Sequence, residues 1–189
     1  MRGQQQVLTS ILLVGVLVVV VGSVYLWGVP LIQKNRDVAL LKGVESFIFR
    51  LDELIREVAN THGKEYIRIT PPCSVRFYPE RNEITATIKT RGTIYAVGRV
   101  YFVRNESEIG SWGRDEPAVM YVDVKEVGDL YSQKYVIKYR KLEAPTRSYL
   151  IKLVGSEFVA GEGHTIYLSY AGSKEVGRET WSLIAVKAE

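Results

Sequence analysis

Few side chains in this 189-residue chain have the types and spacing that chemistry requires. The histidines are His62 and His164, about a hundred residues apart, and the single cysteine is Cys73. No H-E-x-x-H pair, G-x-S-x-G elbow, phosphate loop or dinucleotide fingerprint is written in the chain. Gly161-Glu162-Gly163-His164 has half the look of a glycine-rich motif, but Thr165-Ile166 stands where the next glycine is needed. The segment reads as a hairpin loop. A zinc site needs three or four ligands, and two histidines with one cysteine are a poor supply. Cys73, following Pro71-Pro72, reads as a small buried residue at a strand start rather than a nucleophile. Carboxylates are numerous, yet nothing in their spacing marks a catalytic pair, and only a cleft holding two of them close together would revive a hydrolase. The expectation is a protein with no catalytic residues, no metal and no cofactor.

Asn105-Glu106-Ser107 is different, because an N-x-S triplet in a polar stretch makes Asn105 a glycosylation acceptor on an exported domain. Eleven of the twelve tyrosines follow residue 61, a composition suited to contacts with sugars or proteins and also to ordinary strands. The net charge of +4 is spread over a chain with 25 basic and 21 acidic residues. No basic stripe follows from it, so nucleic acid is not the expected partner.

The elements that carry these residues are easier to read. Val7 to Val29 is VLTSILLVGVLVVVVGSVYLWGV, an uncharged run that as a helix spans roughly 35 Å at about 1.5 Å per residue. That length crosses a bilayer, and in lipid a single segment satisfies its backbone only as a helix. Leu12, Val16, Val19 and Val20 lie within the span, and Tyr25 and Trp27 fall where amphipathic rings meet the membrane interface. A cleaved secretory signal has a shorter apolar core and a small-residue cleavage site, which Tyr25-Leu26-Trp27-Gly28 is not. Arg2 on one side and Lys34, Arg36 and Lys42 on the other leave the charge rule undecided about orientation. The exported character of the rest places the C-terminal domain outside the cell membrane.

Pro30 disfavours the α conformation at Val29, so a kink or break is expected near residues 28–30. Beyond it Leu41, Val44, Ile48, Leu51 and Ile55 recur at spacings of three and four and define an amphipathic helix. Its stripe is expected to pack on the following domain, with part of it left for neighbouring copies. His62-Gly63 should end the helix, with the glycine just past its C-terminus. From Lys64 onward the period is two, as in Ile84-Thr85-Ala86-Thr87-Ile88-Lys89, with turn clusters between. About eight or nine such strands without helical interruption predict an antiparallel β-sandwich. The fold class is therefore α+β.

Met1-Arg2-Gly3, Gln4-Gln5-Gln6 and then the apolar helix together resemble the class III signal peptide of archaeal type IV pilins and pilin-like proteins. The resemblance covers about the first thirty residues. It implies a leader of residues 1–3, cut by the prepilin peptidase between Gly3 and Gln4. It further implies a helix over 4–62 that is held in the membrane and later buried in a filament core, and an extracellular domain over 63–189. Partners would be the membrane, further copies or other pilin subunits, and the function would be a major or minor filament subunit displayed for adhesion. Leu8 stands where bacterial relatives carry a glutamate used in assembly. The competing expectation is a membrane-anchored extracytoplasmic β-sandwich that binds a ligand without polymerising.

Overall fold

The structure, a computed structural model, describes residues 2–103 and 106–189, with side chains from Thr9 onward. One helix, α1, runs from Arg2 to Thr61, 60 residues or about 90 Å. Among the described residues twelve strands follow. They are β1 (Lys64–Arg68), β2 (Ser74–Tyr78), β3 (Glu83–Thr90), β4 (Gly98–Tyr101), β5 (Ile109–Ser111) and β6 (Ala118–Val127). Then come β7 (Leu130–Tyr139), β8 (Lys141–Glu143), β9 (Ser148–Val154), β10 (Phe158–Ala160), β11 (Thr165–Val176) and β12 (Glu179–Ala188). The α+β class is as expected, with an apolar N-terminal helix ahead of two sheets rich in antiparallel pairs.

Of the kink or break expected near residues 28–30, the break is absent, because α1 continues through Pro30. One proline deletes one backbone bond, and the bonds on either side carry the helix across the gap. Gly43 is likewise accommodated inside it. At the far end His62, not Gly63, takes the left-handed conformation (φ 57°) and donates its N–H to Val58 O at 3.0 Å. The Gly63 carbonyl is left to accept Tyr170 N–H at 3.0 Å, which starts the alignment of the helix end with β11.

The strands form two six-stranded sheets, ordered β1-β11-β12-β9-β8-β5 and β10-β2-β3-β7-β6-β4. Three strands of only three residues (β5, β8 and β10) are too short to leave an alternating pattern, which is why twelve strands form where eight or nine were expected. Two pairings, β12 with β9 and β5 with β8, are parallel. The first follows from the path of the chain: after β9 it crosses to the other sheet as β10, then returns as β11 and β12. Gly161–His164 is thus a crossing between sheets and not a hairpin loop. The outward crossing from β9 begins at Gly155 (φ 142°), where a Cβ would lie 2.5 Å from Val186 O, so only glycine fits.

The second half of α1 belongs to the core of this domain. Leu41, Val44, Leu51 and Ile55 are fully buried, Ile48 nearly so, and they join one cluster with residues of both sheets. The helix touches β1, β11 and β12 on one side and β3 and β7 on the other. The whole apolar stripe is consumed inside the chain's own domain.

Asn82, at the β2–β3 turn, joins the sheets by polar means. Its Oδ1 accepts Leu153 N–H at 2.7 Å, and its Nδ2 donates to Ile151 O at 2.7 Å and Tyr139 O at 3.3 Å. The amide supplies the β9 edge with the partners that a neighbouring strand would otherwise provide. Asn82 also occupies the left-handed region (φ 55°), which asparagine tolerates better than alanine. Asn82→Ala is expected to cost about 3 kcal/mol, from buried backbone groups left unpaired and the lost conformational preference. Asn82→Gly should recover about 1 kcal/mol of that. Denaturant unfolding of the full chain in detergent measures both.

Candidate functional site

The feature with the strongest functional character is the first half of α1. From Thr9 to Trp27 every side chain is exposed, including Leu12, Val16, Val20 and Tyr25, with Val19 at 67% and Trp27 at 77%. Pro30 is exposed at the end of this stretch. It is the one helix among the described residues that is long and apolar enough to cross a membrane, and its most apolar window has no cover from the rest of the chain. The polar group Ser23 returns its hydroxyl to Val19 O at 2.8 Å, so it needs no water. Gly3 and Gln4 fall in the opening turns, where side chains lie outside those described. Asn105 lies outside the described residues, and of its triplet the structure places Glu106 and Ser107.

Where α1 enters the domain, a series of polar ties fixes its height against the sheets. Gly92 N–H donates to Asp37 Oδ2 (2.8 Å), Tyr95 Oη donates to Glu45 Oε2 (2.7 Å) and Tyr135 Oη donates to Leu41 O (3.3 Å). Farther along, Tyr139 Oη donates to Asp52 Oδ1 at 2.7 Å. Arg56 then bridges two carboxylates, with Nε 3.0 Å from Asp52 Oδ2, off the line of a hydrogen bond, and Nη1 2.6 Å from Glu116 Oε2. The Arg50–Glu53 pair (2.6 Å) is local, three residues apart on the helix, but the ties to Glu116 and to the tyrosines join residues dozens of positions apart. No local pattern announces them.

Asp52 is only 2% exposed. Its burial holds its carboxyl above the ordinary range, against the opposing pull of Arg56 and the Tyr139 hydroxyl. Burial likewise raises Tyr139 well above the usual phenol value and pushes Tyr135 up to about 12. For Asp52 the folded state holds its proton more tightly than the unfolded chain does. Its contribution to stability is therefore lost as pH rises from the ordinary carboxylate value through the raised one. The Asp52→Asn variant should lack that segment of pH dependence. Melting temperatures of both chains from acid to neutral pH provide the check, and parallel curves would contradict it.

Asp52 and Glu116 also line a cleft of about 470 Å³ between α1 and the 112–117 loop, together with Phe49, Phe102 and Arg114. The two carboxylates meet there through one guanidinium. Cys73 is buried just before β2, as its sequence position suggested, and burial raises its thiol to about 11. His62 packs on the Tyr170 ring at 4.2 Å, and the His164 ring nitrogen Nδ1 lies 3.2 Å from Gly161 O. Among the described residues no group of three or more His, Cys, Asp or Glu side chains is placed to hold a metal. Comparison with known proteins adds nothing to this geometry: no family model, curated protein or solved structure matches the chain.

Proposed function

We propose that this chain is a pilin-like structural subunit, major or minor, of an archaeal type IV pilus-like surface filament. The observation that carries the reading is the division of one unbroken helix. Its second half is the core of the β domain, while its first half offers an apolar surface with no cover within the chain. That surface needs a solvent other than water, at about 25 cal/mol for each Å² removed from contact with it. Lipid serves before assembly and the helices of neighbouring copies serve after it. A helix that is continuous from the span into the domain transmits position rigidly between the filament core and the displayed sheets. A flexible linker would suffice for a simple tether.

On this reading the prepilin peptidase cuts between Gly3 and Gln4, the helix holds a single span, and the β domain lies outside the cell. Asn105 carries glycan on that domain. The chain has no catalytic role, and the Asp52–Arg56–Glu116 cluster serves to fasten α1 to the sheets. Intact mass and N-terminal sequence of the protein from native cells test the proposal. A chain beginning at Gln4 supports it. A chain beginning at Met1 contradicts it and leaves a permanent anchor with a ligand-binding sandwich.

A further inference from the structure

The ties along α1 also establish which end of the sandwich lies nearest the projecting segment. Moving down the helix from Asp52 to Leu41, the tied partners move down β7 from Tyr139 to Tyr135. Asp37 is tied to Gly92, just past the end of β3, where Thr90 pairs with Tyr131. The start of β7 therefore points toward the apolar span, and the β6–β7 hairpin tip lies beyond Tyr131. From Tyr135 to Asp129 is about 20 Å along the strand. The same rise on α1, counted back from Leu41 at about 1.5 Å per residue, arrives close to residue 28. The tip thus reaches the level at which the uncharged run ends.

Its side chains suit that level. Val127 and Leu130 pair across the turn and are 52% and 36% exposed. Between them Gly128 (φ 62°) opens a two-residue turn with Asp129, in the manner of a II′ turn. One row behind, Lys125 and Lys89 both pair with Ser132 and are exposed, and Lys34 and Arg36 are exposed on the helix at a similar height. The acidic side chains at the tip are Glu126 and Asp129. The β11–β12 hairpin uses the same turn, Val176-Gly177-Arg178-Glu179 with Gly177 at φ 65°, at the opposite end of the domain. There the residue opposite the valine is charged. The apolar pair is kept for the end that faces the span.

We propose that the β6–β7 tip is a second membrane contact: Val127 and Leu130 enter the headgroup layer while the basic row meets anionic lipid. The headgroup region adds about 5–7 Å on each side of the hydrocarbon, a depth that a two-residue tip can enter. Basic residues just outside an apolar segment are attracted to anionic lipid surfaces, and apolar residues beside them bury in the interface. This inference rests on the reading that the first half of α1 spans a membrane. Its consequence is a β domain held at one tilt on the bilayer before assembly.

The test uses the full chain in vesicles of equal parts phosphatidylcholine and phosphatidylglycerol, with a nitroxide at Val127→Cys, Leu130→Cys, Val176→Cys or Val19→Cys in separate preparations. Cys73 is buried, so the introduced thiol is the one labelled. Collision with a water-soluble nickel complex should be several-fold lower at residues 127 and 130 than at 176. It should rise at 127 when phosphatidylcholine is used alone. A shielded 19 with 127 and 130 as accessible as 176 overturns the tip contact and leaves the span intact. An accessible 19 overturns the spanning reading itself. Spin–spin broadening at 127 that grows with protein density assigns the tip to a neighbouring copy and also overturns the proposal.

Discussion

Replacing Leu51 by aspartate is expected to unfold the β domain while leaving the chain in the membrane. Leu51 is fully buried within the one cluster that α1 forms with both sheets. Leu51→Ala alone should cost about 2–5 kcal/mol through lost burial and the cavity left behind. An aspartate adds an unpaired carboxylate at the same point, a further cost of several kcal/mol. The sum is comparable to the whole stability of an ordinary domain, about 5–15 kcal/mol. Glu53→Ala, on the exposed face of the same turn, should change stability by no more than about 0.5 kcal/mol. Protease resistance and denaturant unfolding separate the three variants. A folded, protease-resistant Leu51→Asp chain would contradict the placement of α1 in the core.

Val19→Asp is expected to do the reverse. Val19 is exposed in the isolated chain, so the β domain should fold and resist protease as before. At the centre of a membrane span the change from valine to aspartate is unfavourable by about 3 kcal/mol on the insertion scale. That corresponds to a loss of about 100-fold in the inserted population, at 1.4 kcal/mol for each factor of ten. If the same surface is buried between copies in a filament, the charge also stops assembly. Alkali-resistant membrane fractionation reads the first effect and counting of surface filaments reads the second. Normal filaments from this variant would count strongly against the proposed assembly mode.

These two variants divide α1 at the place its own residues divide it. The uncharged run and the stripe at spacings of three and four are local patterns, and both halves of the helix could be read from them. The strand pattern was equally plain where a strand is long and its residues alternate apolar and polar, as in β3. What could not be read depends on residues distant in the chain. Pro30 obeys a local rule that disfavours helix, yet the helical bonds on both sides override it. The three-residue strands and the parallel β9–β12 pair exist because partners in the fold place them there. Asn82 is a turn residue between β2 and β3. Its bonds to β9 needed the other sheet to be in position.

The candidate site shows the same division. Val19, Tyr25 and Trp27 were recognisable because an uncharged run of that length has few uses. Leu41 through Ile55 were recognisable as a stripe, but only the fold reveals that the domain consumes all of it. Arg56 and Glu116 are sixty residues apart, and no spacing rule connects them. That the β6–β7 tip with Val127 and Leu130 lies at the end of the domain nearest the apolar half of α1 follows only from the register of β7 against the helix.

The most direct test of the account is electron cryomicroscopy of filaments sheared from native cells and shown by mass spectrometry to contain this chain. The account predicts a rod whose core is packed copies of α1 from Gln4 to about residue 36, with the two-sheet domain outside and Leu41 through Ile55 buried in it. Recovery of the chain solely as separate copies in the membrane fraction, absent from every filament, would contradict it.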